Sequence, residues 1–425
     1  MKVTLIQPRY FNIWEALGLG YLGAYLKAHY RQPLEVNFFQ AFFDSDAEIV
    51  CGAADSDVVA FSCNSPTFAH GAELARHIKA VNPRAWTVFG GFHPSAVPED
   101  CLETPGVDQV IRGEGERGFL AAVQGNRERL IKSDPVDDIN ELPLPDRALI
   151  RNERDIDLAE RYTGRRMTSF QSCRVCPLQC VFCAERIVTG VFNRRTNPVR
   201  IVTPTRLLEE VEAVARRYHL DHFKFVDATW NTSVEKVIAF CQEKIARGFT
   251  LPWEANVHAA FTSREMLRWM KEANCVQINM GCESGSPRIL RKMRKGISVE
   301  QIIQVFDWAR ELGIERRGYF IMGIPDETVD DIKLTEALVE RLDPQVFGIT
   351  IVCPYPGTDL YDPTVHKAID WSKTDEYAND FWATPTLSNA DMKSWQKHLT
   401  EKFRHRLAWH HRVLEHPETI PIVQP

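Results

Sequence analysis

Short apolar runs alternate with stretches of helical periodicity over the first third of the chain. Runs rich in β-branched and aromatic residues occupy positions 2–8, 34–40, 57–63, 86–91 and 107–116. Helical patterns at positions 19–30 and 68–81 lie between them. Strands separated by helices of this length are typical of βαβ units, which build a parallel sheet. Residues 1–135 are therefore predicted to form an open, doubly wound α/β domain.

A stretch without periodicity separates this domain from a second region that shows the same alternation. Residues 136–150 contain two prolines and several acidic residues, which predicts a linker over residues 136–160. After it, six apolar runs alternate with helical patterns, at positions 167–172, 222–229, 253–258, 276–283, 317–325 and 346–354. Six parallel strands with crossover helices predict a partial (β/α)6 barrel over residues 161–360, with its active site at the carboxyl ends of the strands.

Local signals place several helix starts and a C-terminal cap. Thr232 with Glu235, and Ser298 with Gln301, have capping-box spacing, so a helix is predicted from each position. After Ser388, apolar residues recur at three- and four-residue steps, at Met392, Trp395, Leu399, Phe403 and Leu407. A stripe of this kind packs against other elements. Residues 361–425 are therefore predicted to form a helical cap on the barrel.

The composition narrows the class of protein. The chain has 425 residues, of which 44% are hydrophobic, and a formal net charge of −6. That charge argues against nucleic-acid binding through a broad basic face. The sequence shows neither a signal-peptide pattern nor the apolar run of about 20 residues that a membrane helix requires. A cytoplasmic protein without a membrane span is expected, and its eleven cysteines are expected to be reduced thiols.

Four of these cysteines fall within eleven positions, at Cys173, Cys176, Cys180 and Cys183. Zinc knuckles usually draw two cysteine pairs from separate parts of the chain, whereas only three residues separate Cys176 from Cys180. Ferredoxin-type clusters have spacings of two, two and three residues with a proline after the last cysteine, and here the spacings are two, three and two. The stretch favours an iron-sulfur site over zinc, with ordinary packing as the remaining alternative.

Without Cys173, the stretch reads CxxxCxxC from Cys176 to Cys183, with Phe182 before the last cysteine. This resembles the signature of the radical S-adenosylmethionine (SAM) superfamily. The resemblance implies that three thiolates hold a [4Fe-4S] cluster and that SAM chelates the fourth iron, so that Cys173 is not a ligand. Relatives often carry glycine where this chain has Val175, which puts the backbone at that position in doubt.

Four further stretches resemble strand ends of the same superfamily. They are FVDATWN at 225–231, INMGCESGS at 278–286, GYFIMGIPDET at 318–328 and VCPYPGTDLY at 352–361. The resemblance implies a SAM site built from Phe182, Asp227, Glu283, Ser284 and Gly323. Each motif is weak alone, but their order along the predicted strands strengthens the assignment.

The branch with these motifs usually joins a cobalamin-binding, Rossmann-like domain to the barrel, and the first domain resembles that partner. Small or polar residues at its predicted strand ends would let a large ligand approach the backbone. The candidate cobalamin-binding residues are Gly18, Ser62, Gly90, Gly91, His93, Gly113 and Glu114. The DxHxxG motif that supplies a histidine to cobalt elsewhere is absent from the sequence. A degenerate domain that keeps the fold without the cofactor is the alternative.

The resemblance implies a cobalamin-dependent radical SAM enzyme, a methyltransferase acting on an unactivated carbon of a small metabolite or natural product. In that family, SAM cleavage yields a 5′-deoxyadenosyl radical that removes a substrate hydrogen, and methylcobalamin delivers the methyl group. An external electron donor such as flavodoxin or ferredoxin is expected, together with a small-molecule substrate and no nucleic acid. The residues Tyr355, Trp371, Tyr377, Phe381 and Trp382 would either form a substrate wall or pack the cap.

Three alternatives remain. One is radical SAM chemistry without methyl transfer, such as cyclisation, rearrangement or another SAM-derived group transfer. A tRNA methylthiotransferase would need a second cysteine set and a basic RNA-binding domain, which this sequence does not show. The last alternative is a non-enzymatic iron-sulfur or zinc binding module.

Overall fold

The computed structural model describes residues 1–10, 14–187, 198–374 and 379–407. Tyr377, and the part of the predicted cap beyond residue 407, lie outside these residues. None of the helices in the described ranges is long and apolar enough to cross a membrane.

The first domain is built on a parallel sheet whose described strands run in the order β2-β1-β3-β4-β5-β6. Its strands are β1 (Lys2–Gln7), β2 (Glu35–Gln40), β3 (Val58–Ser62), β4 (Trp86–Gly90), β5 (Gln109–Gly113) and β6 (Leu130–Ser133). Its helices are Leu17–His29, Asp46–Gly52, Ser65–Val81, Phe92–Ala96, Pro98–Glu103 and Gly115–Val123. The predicted doubly wound α/β fold is confirmed, with one strand more than the sequence suggested. That strand, β6, is only four residues long and includes an exposed lysine, so it gives a weak apolar signal.

Alternate residues of each central strand enter opposite cores, which is why the sheet is covered on both faces. Phe61 of β3 belongs to one apolar cluster, while its neighbour Ala60 belongs to the other. The strand order reverses at β1, because β2 and β3 pair with its two sides. Ligands of open α/β sheets bind at such a switch point, outside the carboxyl ends of the strands.

The segment predicted as a linker is partly helical. It contains a short 3-10 turn at Ile139–Glu141 and the start of a helix at Glu153–Thr163. Leu158 of this helix packs in one apolar cluster with Phe42 of the first domain and Met167 of the barrel. The helix therefore joins the two sheets.

The second sheet is the predicted partial barrel, and its described strands are parallel in the order β7-β10-β11-β12-β13-β14. They are β7 (Met167–Phe170), β10 (His222–Phe225), β11 (Trp253–Val257), β12 (Cys275–Glu283), β13 (Glu315–Met322) and β14 (Val346–Ile351). A short antiparallel pair, β8 (Cys173–Arg174) and β9 (Arg200–Ile201), lies between β7 and β10 in the chain. Helices in the described part of this region include Pro204–Tyr218, Val234–Ala246, Arg264–Glu272, Pro287–Lys292, Val299–Glu311 and Val329–Leu342.

Of the two helix starts predicted from capping-box spacing, the structure has one at the predicted residue and the other one residue later. Ser298 and Gln301 form the predicted reciprocal capping box. At the other site the prediction was wrong by one residue, because Ser233 rather than Thr232 caps the helix and accepts the amide N–H of Lys236. Both serine and threonine are good N-caps, so sequence spacing alone does not choose between neighbours.

The C-terminal segment packs on the barrel as predicted. Its main helix is Asn389–Lys402, capped by Ser388, with a short helix at Pro363–His366 before it and 3-10 turns at Trp371–Lys373 and Arg404–Arg406. Four residues of the predicted stripe are buried, namely Met392, Leu399, Phe403 and Leu407. They join the main barrel core.

Candidate active site

Residues 171–187, termed the cysteine loop, follow the carboxyl end of β7 and contact the barrel again at two points. The amide N–H of Val181 donates to the carbonyl of Met293 at 3.0 Å, and the amide N–H of Asp359 donates to the carbonyl of Val181 at 3.0 Å. Cys176, Cys180 and Cys183 line one cavity of about 450 Å³ at the carboxyl ends of the strands, termed the barrel cavity. The geometry thus brings together the three cysteines of the CxxxCxxC pattern.

Cys173 lies apart from these three. Its amide N–H donates to Asp227 Oδ1 at 2.6 Å, and its thiol donates to the carbonyl of Thr229 at 3.7 Å. The buried Asp227 also accepts the amide N–H and the hydroxyl of Ser172. Cys173 and Asp227 therefore hold the start of the loop against β10, and neither lines the barrel cavity.

The three cysteines offer sulfur ligands on one cavity wall, the donor type that iron-sulfur clusters use. Within the described residues, no three His, Cys, Asp or Glu side chains lie close enough together to hold a single metal ion. Burial raises the pKa of the Cys180 thiol and raises that of Cys183 to about 12. A polynuclear metal cluster supplies the positive charge that turns such thiols into thiolates.

Glu283 sits at an irregular strand end. The register of β12 against β13 shifts between Gly281 and Glu283, and Glu283 has a φ of 62°. A Cβ atom on Gly281 would lie 2.2 Å from Glu283 Oε1, so the carboxylate occupies space that only glycine leaves open. The strand irregularity therefore directs this carboxylate into the barrel cavity, which it lines.

Lys295 is the ionic partner of Glu283, with Nζ 2.6 Å from Oε1. Both side chains are buried and both line the barrel cavity. Burial alone would lower the pKa of Lys295, but the Glu283 carboxylate, together with Cys180 and Cys183, outweighs burial and holds the pKa above its ordinary value. Sequence reasoning missed Lys295, because nothing in its local pattern distinguishes it from the exposed basic residues before it.

His258 also lines the barrel cavity, just beyond the end of β11. Its Nε2 lies 3.1 Å from the carbonyl of Lys295. Burial, followed by the charge of Lys295, lowers the pKa of His258 to about 4, so the ring is neutral near pH 7. A polar residue at a predicted strand end was the available signal for His258.

The five predicted SAM residues divide into two groups. Phe182 and Glu283 line the barrel cavity, whereas Asp227, Ser284 and Gly323 do not. Ser284 is buried, with its hydroxyl 3.2 Å from that of Thr335. Roles for these five residues in binding SAM remain proposals.

Gly323 lies beneath the C-terminal segment. Its φ is 93°, and its carbonyl accepts the indole N–H of Trp382 at 2.7 Å. Trp382 therefore packs the cap rather than the cavity. Among the other aromatic residues named from the sequence, Tyr355 lines the barrel cavity, and its ring lies 5.9 Å from that of Trp371.

A second cavity of about 340 Å³, termed the sheet cavity, lies at the carboxyl edge of the first domain. Six of the seven residues predicted for cobalamin line it: Gly18, Ser62, Gly90, Gly91, Gly113 and Glu114. His93 does not. Its ring is buried, with Nδ1 3.0 Å from the hydroxyl of Ser65, and burial lowers its pKa to about 4. The structure thus gathers the strand-end residues and separates the histidine from them.

Residues of the cysteine loop close the sheet cavity from the barrel side. Arg174, Val175 and Glu185 line it, and they flank in the chain the three cysteines that line the barrel cavity. Arg174 donates to Glu114 at 2.9 Å and to Glu116 at 2.6 Å, which ties the loop to the first domain. The two cavities therefore flank the same loop.

Val175 adopts the backbone conformation that the sequence put in doubt. Its φ of 75° lies in the left-handed region, where a β-branched residue is an outlier. Glycine is the residue that tolerates such a conformation without strain. The loop accordingly keeps the glycine-type turn although its residue is valine.

Two families match the chain, and they match the two domains separately. The Radical SAM superfamily matches residues 170–339, and the B12 binding domain matches residues 8–123. An uncharacterized methyltransferase of Pyrococcus horikoshii is 26% identical over 381 residues, which are 84% of this chain and 81% of that protein. The anaerobic magnesium-protoporphyrin IX monomethyl ester cyclase of Rubrivivax gelatinosus is 24% identical, over 85% of this chain and 69% of that protein.

The same architecture occurs in a solved structure. The radical S-adenosylmethionine methyltransferase TsrM from Kitasatospora setae, solved with cobalamin and a [4Fe-4S] cluster bound, superposes with a TM-score of 0.68 at 16% identity. The match covers 84% of this chain and 73% of that chain, and it shows a shared fold. With both family matches in chain order and the three cysteines on one cavity, the chain belongs to the radical SAM superfamily, in the branch that carries a B12-binding domain.

Proposed function

We propose that this protein is a cobalamin-dependent radical SAM methyltransferase that methylates an unactivated carbon of a small molecule. The observation that carries the proposal is the placement of the barrel cavity and the sheet cavity on either side of one cysteine loop. A methyl carrier and a SAM-cleaving centre have to act on the same substrate, and two adjoining cavities allow this.

The described residues fit the three cofactors. Cys176, Cys180 and Cys183 would hold the [4Fe-4S] cluster, and the strand-end residues of the sheet cavity would hold cobalamin. When bound, the cluster supplies the electron for SAM cleavage and the corrinoid carries the methyl group. Gly91 follows β4 and lines the sheet cavity. A Cβ there would lie 2.6 Å from the carbonyl oxygen of Cys63, so a larger residue would not fit at this strand end.

Charged residues of the barrel cavity match the polar groups of SAM. SAM carries an ammonium and a carboxylate, and Glu283 and Lys295 place one charge of each sign on the cavity wall. Pairing between these two side chains compensates a buried ion pair that a zwitterionic ligand can engage. Their role in this proposal is to bind and orient SAM.

The test is product analysis under anaerobic conditions. Protein reconstituted with iron, sulfide and hydroxocobalamin is reduced and incubated with SAM and candidate substrates. S-adenosylhomocysteine together with 5′-deoxyadenosine, formed in proportion to methylated product, is the expected result. Protein that shows cluster absorption but never takes up a corrinoid would refute the proposal. Replacing the chemical reductant by reduced flavodoxin or ferredoxin tests the further proposal that a protein of this class donates the electron.

A second candidate is radical chemistry without methyl transfer. It is supported by the cyclase of Rubrivivax gelatinosus, whose match extends over both domains of this chain. The same incubation separates the two, because a cyclisation yields 5′-deoxyadenosine without S-adenosylhomocysteine.

A further inference from the structure

The interior of the barrel is charged at the end opposite to the cysteine loop. A cavity of about 210 Å³, termed the lower cavity, opens at the amino ends of the strands. Its lining includes the cations Arg165 and Arg317 and the acids Glu254 and Glu315. TIM-type barrels usually fill this volume with Val, Ile and Leu, so these side chains need another explanation.

Arg317 is the unusual member of this set. It lies on β13 and is only 7% exposed. Its guanidinium lies 4.7 Å from the centre of the Tyr319 ring, and its Nε has no hydrogen-bond partner. Within residues 1–10, 14–187, 198–374 and 379–407, no acceptor hydrogen-bonds to this guanidinium and no carboxylate lies within 4.0 Å of it. The charge of Glu254 acts on Arg317 only from beyond ion-pair distance, so the fold buries this guanidinium without a hydrogen bond or a direct ion pair, at a cost in free energy.

The acids of the lower cavity are committed to other cations. Glu254 lies 3.4 Å from Lys224 Nζ and 3.7 Å from an Arg165 nitrogen. Burial alone would raise the pKa of Glu254, but Lys224, His222 and Arg317 together lower it to about 2. Glu315 lies 3.8 Å from Arg165, and its side chain is about half exposed. The two acids therefore face three cations, Arg165, Arg317 and Lys224. One positive charge of this group is left without an acid.

We propose that the lower cavity is a binding site for a small oxyanion, a phosphate or a carboxylate, held by Arg317 and Arg165. A guanidinium offers a planar fork of N–H donors that matches the oxygens of either group. The cavity has room for an ion of this size and places both arginines on its wall. The site is separate from the cysteine loop and does not depend on the proposed methyl transfer.

The lower cavity is connected to the barrel cavity through side chains. Lys224 and Asn279 line the barrel cavity, and both contact Glu254 of the lower cavity, at 3.4 Å and 3.5 Å. Tyr319 also lines the barrel cavity, and its ring contacts the guanidinium of Arg317. An anion at Arg317 therefore acts on side chains at the floor of the proposed SAM site.

The proposal is tested by calorimetric titration of the cluster-reconstituted protein. Inorganic phosphate and acetate are titrated separately, and chloride keeps the ionic strength constant. The wild type should bind at least one of the two ions. Arg317→Met should weaken that binding about tenfold or more, because charge-assisted hydrogen bonds are lost. Arg268→Met, which removes an exposed arginine on the Arg264–Glu272 helix, should bind as the wild type does.

Thermal unfolding separates loss of the site from loss of the fold. In chloride alone, Arg317→Met should melt at or above the wild-type temperature, because it removes an unpaired buried charge. Adding the bound ion should raise the melting temperature of the wild type and leave that of the variant unchanged. The partly exposed Arg165→Gln variant provides a second test if the first fails to fold. Absence of wild-type binding to both ions, or equal binding by the Arg317 or Arg165 variant, would overturn the proposal.

Discussion

At the scale of single residues, neighbouring residues of the cysteine loop make different contacts. Cys176, Cys180 and Cys183 line the barrel cavity, while Cys173 bonds to Asp227 and Thr229. Val175, between Cys173 and Cys176, has a strained backbone with a positive φ, and the chain passes there from one cavity to the other. Three of the cysteines thus share one cavity, while the fourth anchors the start of the loop.

Alanine variants of the four cysteines test this division. Replacing Cys176, Cys180 or Cys183 should abolish cluster assembly and SAM cleavage, since each variant removes one of the three proposed sulfur ligands. Cys173→Ala should retain both, because its amide N–H, which holds Asp227, is kept. Iron and sulfide counts with 5′-deoxyadenosine formation provide the measurement. Loss of the cluster in the Cys173 variant would show that the division is wrong.

Glu283→Gln should weaken SAM binding about tenfold or more and cost about 3–5 kcal/mol of unfolding free energy, because it leaves Lys295 charged and buried without a partner. Equilibrium binding of SAM and urea unfolding measure the two effects. The double variant Glu283→Gln with Lys295→Met removes both charges and should recover most of the stability. Recovery of SAM affinity as well would mean that the pair is only structural.

At the scale of elements, strand ends decide where the site residues point. The irregular end of β12 directs Glu283 into the barrel cavity, whereas the regular end of β13 leads to Gly323 under the cap. The family resemblance places both residues near SAM, but the packing of the C-terminal segment separates them. Trp382 and Met392 occupy the space next to Gly323.

Gly323→Ala should therefore disturb the cap. A Cβ there would lie 2.7 Å from Met392 Sδ and 3.0 Å from Trp382 Nε1, in a backbone with φ of 93°. We expect a loss of about 2–4 kcal/mol, from left-handed strain and overpacking together. Gly164→Ala is the matched control, because its φ of 71° is also positive but no atom lies within 4 Å of its Cβ. It should cost only about 1 kcal/mol in urea unfolding. Equal losses would show that the Trp382 contact does not constrain Gly323.

At the scale of the whole molecule, buried polar groups join the two domains. Arg147 donates to the carbonyl of Ser169 at 2.7 Å and lies 3.4 Å from Glu15. Nearby, Asp155 accepts the side-chain amide of Gln40 at 3.1 Å. These contacts connect the first domain, the Glu153–Thr163 helix and strand β7, so the relative position of the two cavities depends on them.

The protonation of Asp155 predicts a pH dependence of stability. Burial and then the charge of Glu15 raise its pKa to about 7, above the value of about 3.9 in an unfolded chain. The folded state therefore binds more protons between these values, and stability is fully present below pH 4 and lost as pH rises through 7. From pH 5 to pH 8 the loss from this group is about 2–3 kcal/mol.

Asp155→Asn keeps the acceptor for Gln40 and removes the titration. Relative to the wild type, the variant should gain about 2–3 kcal/mol of unfolding free energy between pH 5 and pH 8. Urea unfolding at the two pH values measures this difference. A constant difference across the range would contradict the raised pKa of Asp155.

The amino-acid sequence alone determined the two parallel sheets and the cysteine pattern. Hydrophobic period and cysteine spacing are local features, so they can be read without knowing which elements meet. The valine at position 175, where relatives often carry glycine, also drew attention to a residue whose φ is positive in the structure. The short strand β6 was not predicted, because four residues are too few to show a hydrophobic period.

Only the tertiary structure decided which polar residues share a cavity. Lys295 meets Glu283 because a helix end folds back onto a strand end, and Arg317 lines the lower cavity because β13 turns that side chain into the barrel. His93 and Gly323 are both at strand ends in the sequence, yet packing against Ser65 and Trp382 removes them from the cavities. A sequence period specifies the face of an element, but contacts between distant elements depend on how the whole chain packs.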